Sequence, residues 1–285
     1  MATASMKEIS LRIKSIEGTR QITKAMELVA RLKLSKALDG AEKCRPYFLE
    51  LRRTLSAVAS SGAAVDSDFC REPSAKEDKK ICIIALAGDR GLAGGYNSNL
   101  FKACGEFSQG KNVEVLPVGK KACEHFARIG ADVVSSEYQS IESMDVGDAH
   151  DAARLLCGRF LSGEFEELYL IYTRFVSMLS QVPATMRLLP LEKPKKKDTQ
   201  PPYMLIEPSA QAVFDKIVPD GVAGLIWGAV CESKASEYAA RRIAMENATS
   251  NADDMTEQLR LVYNKARKGS ITRQITEIVS GAQSE

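Results

Sequence analysis

A glycine-rich segment, DRGLAGGYN at 89–97, directly follows the apolar run ICIIALAG at 81–88. A buried strand that leads into glycines is how dinucleotide-binding folds begin, so a phosphate site is the first chemistry to test. A P-loop requires GxxxxGK[ST], and neither Gly88 nor Gly91 has a second glycine at that spacing. The dinucleotide fingerprint GxGxxG also fails, because Ala93 stands two positions after Gly91. The segment therefore predicts a tight turn between a strand and a helix, with no direct nucleotide binding.

Other catalytic or metal-binding patterns lack residues at suitable spacing. Seven cysteines are scattered without a CxxC pair, and His125 and His150 are the only histidines, so neither a zinc site nor a Ser-His-Asp triad is predicted. Scattered thiols of odd number are typical of a reduced, intracellular protein. The lysine run 195–197 lacks interleaved aromatic residues, which favours a solvated loop over nucleic-acid binding. We predict no catalytic residue, no metal and no cofactor.

The first sixty residues are typical of one helix with a narrow apolar seam. They carry twelve Lys and Arg residues against six Asp and Glu residues, an excess that suits contact with an acidic partner surface. The predicted seam weakens in the middle and then resumes; its members are Ile9, Ile13, Ile16, Ile22, Met26 and Val29.

The middle of the chain changes its hydrophobic period. Residues 61–80 are polar and are interrupted by Pro73, which indicates a linker. In 81–205, short apolar runs alternate with helical patterns, which predicts a mostly parallel sheet with helices on its faces. From 206 to 285 the pattern is helical again, with a turn expected at PDG, 219–221.

The last helical segment is too long for a compact domain. About sixty helical residues extend roughly 90 Å at 1.5 Å per residue, whereas a domain of this size is only about 40 Å across. This helix must therefore protrude and needs a partner, and the N-terminal helix is available. The predicted fold class is α/β: a long antiparallel coiled coil of the N- and C-terminal helices, with a Rossmann-like α/β domain inserted between them.

Two other classes of function remain open at the level of residue patterns. One is a structural coiled-coil adaptor, and the other is an α/β enzyme whose site is not recognisable in the sequence. An adaptor would co-purify with partners without turning over a substrate, whereas an enzyme would turn over a metabolite as the isolated chain.

Long segments nevertheless resemble the gamma subunit of bacterial F-type ATP synthases, in the family's order and over nearly the whole chain. The segments that carry the resemblance are TRQITKAMELVARLKL (19–34), AGDRGLAGGYNSNL (87–100), SQVPATMRLLPL (180–191), and SEYAARRIAMENATSNADDM with LRLVYNKARKGSITRQITEIVSGA (both within 236–282). Two positions depart from the family pattern: Gln274 replaces the usual glutamate, and Ala93 replaces a cysteine found in many members. The inserted regulatory cysteine pair of the plant-chloroplast type is missing, so we expect no thiol switching.

The resemblance implies a non-catalytic rotor that couples ion flow through a membrane sector to ATP synthesis or hydrolysis. Its implied partners are the alpha3beta3 catalytic ring, the epsilon subunit and the c-subunit ring. It also implies a peripheral protein on the cytoplasmic face of the bacterial cell membrane. The residues that it suggests for contact with partners are Lys24, Met26, Arg241, Arg267, Thr272 and Glu277.

Overall fold

A computed structural model describes residues 6–59, 67–72, 79–192 and 206–282. The chain forms two compact units, one from Met1–Ala30 with Arg241–Glu285 and the other from Arg31–Ala240. The lysine run 195–197 lies outside the described residues. The elements in chain order are α1 (Met6–Val58), a 3-10 turn (Asp68–Cys70), β1 (Lys80–Leu86), α2 (Tyr96–Ser108), β2 (Asn112–Val118), α3 (Lys120–Arg128), β3 (Asp132–Val133), α4 (Val146–Leu161), β4 (Glu167–Ser177), β5 (Ser180–Leu189) and α5 (Ala210–Ala282).

In the first unit, α1 and α5 run antiparallel. Three contacts follow one another from the N-terminus of α1 toward its C-terminus. Glu17 pairs with Arg260 at 2.7 Å, and Arg20 pairs with Asp253. The Thr23 hydroxyl is hydrogen-bonded to the Thr249 hydroxyl at 2.8 Å. The partner number falls as the α1 number rises, which defines an antiparallel pair. Together with the sheet described below, this pairing confirms the predicted fold class.

The seam of the helix pair differs from the predicted one in its middle. Ile9 is buried as expected, but Ile22 and Val29 are exposed, and Thr23 and Ala30 are buried in their place. Small side chains let the two backbones approach, and a hydroxyl pair satisfies its own hydrogen bonds, so a buried threonine is tolerated. On α5, Met255 and Val262 are exposed, and the buried positions are Met245, Thr249, Ala252 and Thr256.

The second unit contains a five-stranded sheet of order β3-β2-β1-β4-β5. Strand β1 is parallel to β2 and to β4, and β5 is antiparallel to β4. Every residue of β1 after Lys80 is buried, because helices cover both faces of the sheet. Leu100 of α2 and Phe126 of α3 belong to the core on one face. The other core contains Leu156 and Phe160 of α4 and the first turns of α5.

The predicted turn at PDG is wrong, because Pro219 lies inside α5. Val218 and Val222 on either side of it are buried in the sheet's second core. Gly221 packs directly against the Leu55 side chain of α1, where a Cβ would collide. A proline in a helix interior costs about 3 kcal/mol, and burial of several apolar side chains at about 1.5–3 kcal/mol each offsets that cost.

Candidate partner-contact residues and the carboxyl edge of the sheet

The two suggested contact residues on α1 differ in exposure. Lys24 is exposed, and its ammonium pairs with the Glu27 carboxylate one turn along the same helix at 2.9 Å. Met26 is half-buried beside the seam. A thioether at the margin of a helix pair can contact both the second helix and a surface placed against the pair.

The four suggested residues on α5 are spread over ten helical turns. Arg241 is only 8% exposed, whereas Arg267 and Thr272 are exposed. The Thr272 hydroxyl donates to the Lys268 carbonyl at 3.0 Å, a bond within the helix that leaves the side chain at the surface. Glu277 lies in the helical backbone of α5, and its side chain is not among those described.

These six residues do not form one cluster. The antiparallel register places Met26 and Arg241 toward the same end of the helix pair and Arg267 toward the opposite end. Beyond Ser270, each described side chain up to Val279 is exposed. Four of these are large and apolar: Ile271, Ile275, Ile278 and Val279. An exposed apolar surface of this kind is typical of a site that binds another protein.

The glycine-rich segment lies at the carboxyl edge of the sheet, after β1. In open α/β sheets, ligands bind at this edge between two neighbouring strands whose following connections leave in opposite directions. Here those two strands are β1 and β4. The Gly88 N–H donates to Asn97 Oδ1 at 2.9 Å. β1 ends at Leu86 and α2 begins at Tyr96, so the segment connects a strand to a helix as predicted, but through nine residues rather than a tight turn.

Asp89 holds the loop before α4 against this turn. Its carboxylate accepts hydrogen bonds from Ser140 Oγ at 2.6 Å, from the N–H groups of Ile141 and Glu142 at 2.9 and 3.0 Å, and from the Lys120 N–H at 3.1 Å. Burial raises the pKa of this carboxyl, but the hydrogen bonds outweigh burial and leave the pKa below its usual value. Asp89 therefore acts as an ionised structural anchor.

Helix α5 fills the place where a ligand would enter between β1 and β4. The Glu237 carboxylate lies against Gly88, so that a Cβ on Gly88 would be 2.7 Å from the Glu237 carboxyl carbon. Tyr96 Oη donates to the Ser233 carbonyl at 3.1 Å, and Ser236 Oγ donates to the Thr173 carbonyl at 3.0 Å. The sequence gives no signal for Glu237, because an isolated glutamate in a helical segment is usually solvated.

The described cysteine side chains are mostly buried. The six described cysteines are free, and five of them are buried. Burial raises the pKa of Cys104 and of Cys157 to about 12, which keeps both as unreactive thiols. Across residues 6–59, 67–72, 79–192 and 206–282, no group of three His, Cys, Asp or Glu side chains could hold a metal ion. In the same residues, no helix is long and apolar enough to cross a membrane.

The relationship to known proteins extends over the whole chain. A sequence model of the family described as ATP synthase matches residues 5–284. The ATP synthase gamma chain of Alkaliphilus metalliredigens is 40% identical over 288 residues, which cover 98% of each chain. That of Desulforamulus reducens is 38% identical over 282 residues, again with 98% of each chain covered. This chain belongs to the ATP synthase gamma-chain family. The resemblance drawn from the five sequence segments is therefore confirmed.

Solved structures share the fold with this gamma-chain family member. A chain of the Euglena gracilis mitochondrial ATP synthase rotor matches with a TM-score of 0.63 and 18% identity, covering 93% of this chain and 98% of that one. A chain of the Tetrahymena thermophila mitochondrial ATP synthase, in a structure of its central stalk and c-ring, matches with a TM-score of 0.58 and 21% identity, covering 80% and 99%. At these identities the matches show a common fold.

Proposed function

We propose that this chain is the rotor of the central stalk in an F-type ATP synthase. It couples ion flow through the membrane sector to ATP synthesis or hydrolysis at the catalytic beta subunits. The proposal rests on the antiparallel helix pair, which has large apolar side chains on its outer surface. The chain that forms this pair matches the gamma-chain family over nearly its full length. Such a pair fits within a ring of subunits that covers those side chains.

The coupling follows from the asymmetry of a helix pair. Three identical catalytic subunits cannot all meet one asymmetric pair in the same way, so each subunit contacts a different face. A face biases the conformation of a subunit only by the difference in its contact energy between the two conformations. Rotation of the pair then passes each bias to the next subunit in turn.

The outer surface of the helix pair supplies contacts of two kinds. Apolar side chains such as Leu11, Ile22 and Leu261 are more than half exposed and suit a smooth bearing. Basic and polar residues, among them Lys24 and Arg267, suit pairing with partner carboxylates at particular angles of rotation. We assign the same partner-contact role to Met26, Arg241, Thr272 and Glu277.

The inserted α/β domain, 81–205, is proposed to be non-catalytic and to join the stalk to the epsilon subunit and the c-subunit ring. Its sheet edge is occupied by the Glu237 side chain of α5, which takes up the space beside Gly88 where a ligand would enter. ATP chemistry then belongs to the beta subunits of the alpha3beta3 ring. The chain is proposed to lie peripherally on the cytoplasmic face of the bacterial cell membrane.

The test is purification of the native complex that contains this chain. Co-elution with ATP synthase alpha, beta, epsilon and c subunits, together with rotation of a bead attached to the α/β domain when Mg-ATP is added, is the expected result. A complex without ATPase subunits would favour a coiled-coil adaptor. Turnover of a metabolite by the isolated chain would favour an enzyme, and either result would overturn the rotor.

A further inference from the structure

The tip of the β4–β5 hairpin, residues 176–182, exposes three aliphatic side chains. Leu179 is 86% exposed, and Val176 and Val182 are 54% and 44% exposed. Met178 and Leu179 form the two-residue turn that joins the strands. Turns of this length favour Gly, Asn and Asp, so an apolar residue at the most exposed position is not explained by the turn itself. Exposed apolar patches mark surfaces that bind other proteins.

The hairpin tip is held in a fixed orientation. Phe175 and Met178 pack against a buried cluster that includes Leu34 of α1 and Tyr238 of α5. The Gln181 side-chain amide donates to the Met178 carbonyl at 2.7 Å, which closes the turn. Because Met178 is packed inward, its neighbour in the turn is left pointing to solvent. A contact made by side chains on a pre-organised support loses less conformational entropy on binding than one made by a mobile loop.

A β-bulge adds the second exposed side chain. The pairing of β4 with β5 shifts between Phe175 and Ser177, so that Val176 has no opposite residue on β5. Bulges re-aim side chains and are frequent at sheet edges and beside functional sites. β5 is the last strand of the sheet, and the bulge lies at its free end.

The charge beside the hairpin tip is positive. Val182 lies directly opposite Arg174 in the strand register, so the exposed guanidinium borders the aliphatic side chains. Arg174 is the only charged residue between 174 and 186. Segment 31–38 of α1, part of which packs behind the hairpin, contains three Lys and Arg residues and no Asp or Glu.

Two of these cations act on carboxylates of the same chain. Lys33 pairs with Glu142. Burial raises the pKa of Glu232 on α5, and the positive charge of Arg174 opposes that shift. A guanidinium has five donors in a fork, so Arg174 can face Glu232 and still donate to a further carboxylate at the exposed side.

We infer that the hairpin tip is a docking site for an acidic segment of another protein subunit. That segment places an apolar side chain against Leu179 and a carboxylate beside Arg174. The inference rests on the proposed role in an assembled complex. A second copy of the chain would bring like charge to the same place. Residues 193–205 of this chain carry four lysines and one aspartate, so they are also the wrong charge. One arginine is too few for a polybasic membrane site, which has about four to eight basic residues.

The test is site-specific photo-crosslinking in the purified native complex. The photoreactive residue p-benzoyl-phenylalanine replaces Val176, whose bulged position leaves the strand pairing intact. Leu179→Glu and Leu179→Lys are compared in this background, because the two new side chains are similar in length and opposite in charge. The parent is expected to cross-link to one other subunit, at a segment that contains Asp or Glu. The yield with glutamate at 179 is expected to be at least about fivefold lower than with lysine, because like charges across an interface repel.

The matched control is Leu155→Glu, which changes an exposed leucine on α4 and is expected to leave the cross-link yield unchanged. Thermal denaturation of the isolated chains is expected to give the same midpoint for both variants at 179, since the site is at the surface. A yield that falls equally with glutamate and lysine would overturn the acidic partner. The inference is also overturned if the cross-link is missing, or if it forms within the chain, to a second copy or to lipid.

The subunit composition of the same purified complex tests the rotor separately. A complex that contains ATPase subunits but gives no cross-link from position 176 overturns the docking site and leaves the rotor standing. A charge-dependent cross-link in a complex without ATPase subunits supports the docking site and overturns the rotor.

Discussion

The carboxylate of Glu237 lies against the backbone of Gly88, with its carboxyl carbon 2.7 Å from the position that a Cβ on Gly88 would occupy. Gly88 ends the strand side of the glycine-rich turn, and Glu237 is only 5% exposed on α5. A Cβ at position 88 would force the Glu237 carboxylate to move. The close approach places a carboxylate of the chain itself at the sheet edge where related folds bind phosphates.

Gly88→Ala is expected to lower the free energy of unfolding by about 1–3 kcal/mol, because the new methyl group overpacks a closed contact. The same substitution should cost less in a Glu237→Ala background, where the carboxylate is gone. Chemical denaturation of the four proteins of this double-mutant cycle measures the coupling. Gly105→Ala is the control: this exposed helical glycine has nothing within 4 Å of its Cβ position, and it should gain about 0.5–1 kcal/mol. Equal costs in both backgrounds would contradict the contact.

The isolated chain is expected not to bind Mg-ATP at micromolar concentrations and not to hydrolyse it. The glycine-rich turn lacks the P-loop spacing, and the Glu237 side chain fills the space beside Gly88. Isothermal titration calorimetry of the purified chain measures this directly. A saturable heat at micromolar nucleotide would show that the sheet edge still opens to a ligand.

Asp89→Asn is expected to destabilise the chain by roughly 1–3 kcal/mol at neutral pH, because the amide cannot accept all the hydrogen bonds that converge on the carboxylate. Hydrogen bonds hold the pKa of Asp89 below its usual value in the folded chain, so its contribution is present above the pKa of the unfolded carboxyl. The contribution is lost as pH falls through the folded pKa. The difference between wild type and variant, measured by denaturation, should therefore shrink at acid pH. The exposed control Asp254→Asn should differ little from wild type at any pH.

Met26→Lys is expected to impair coupling between ATP hydrolysis and ion pumping while the complex still assembles. The new ammonium, at the margin of the helix pair, can find a partner carboxylate in some rotary positions and not in others. The measurement is the ratio of ions pumped to ATP hydrolysed in reconstituted vesicles. Met26→Leu keeps the volume without the charge and should pump normally. A normal ratio of ions pumped to ATP hydrolysed in the lysine variant would show that Met26 has no role in coupling.

Arg241→Ala is expected to slow ATP turnover of the assembled complex by roughly tenfold, which corresponds to about 1.4 kcal/mol in activation free energy. The substitution is expected to weaken assembly less than it slows turnover. A guanidinium held on a stiff helix with only 8% exposure is suited to a directional contact with a carboxylate. Arg267→Ala, at an exposed position, should change turnover less, since an exposed pair contributes only about 0–1 kcal/mol. Steady-state ATPase rates and gel filtration measure the two effects. Loss of assembly would make Arg241 structural, and unchanged turnover would leave it without a role in rotation.

Local pattern was enough to predict most of the secondary elements and the fold class. The apolar run 81–88 matches β1 (Lys80–Leu86) within two residues at each end, because a strand buried on both faces is continuously apolar. The length of the C-terminal helix required a second helix to cover it, and the sequence provided one at the other end. The two-residue strand β3 was not predicted, because it is too short to show a period.

The sequence by itself determined most of the elements, their order and, through resemblance, the family. Only the tertiary structure decided which helix face is buried, because Thr23 with Thr249 excludes Ile22 and Val29 from a seam that hydrophobicity alone would assign to them. It also decided that Pro219 stays within a helix and that Glu237 reaches Gly88, 149 positions earlier in the chain. Each outcome depends on contacts between residues distant in sequence, whose packing energy outweighs local preference.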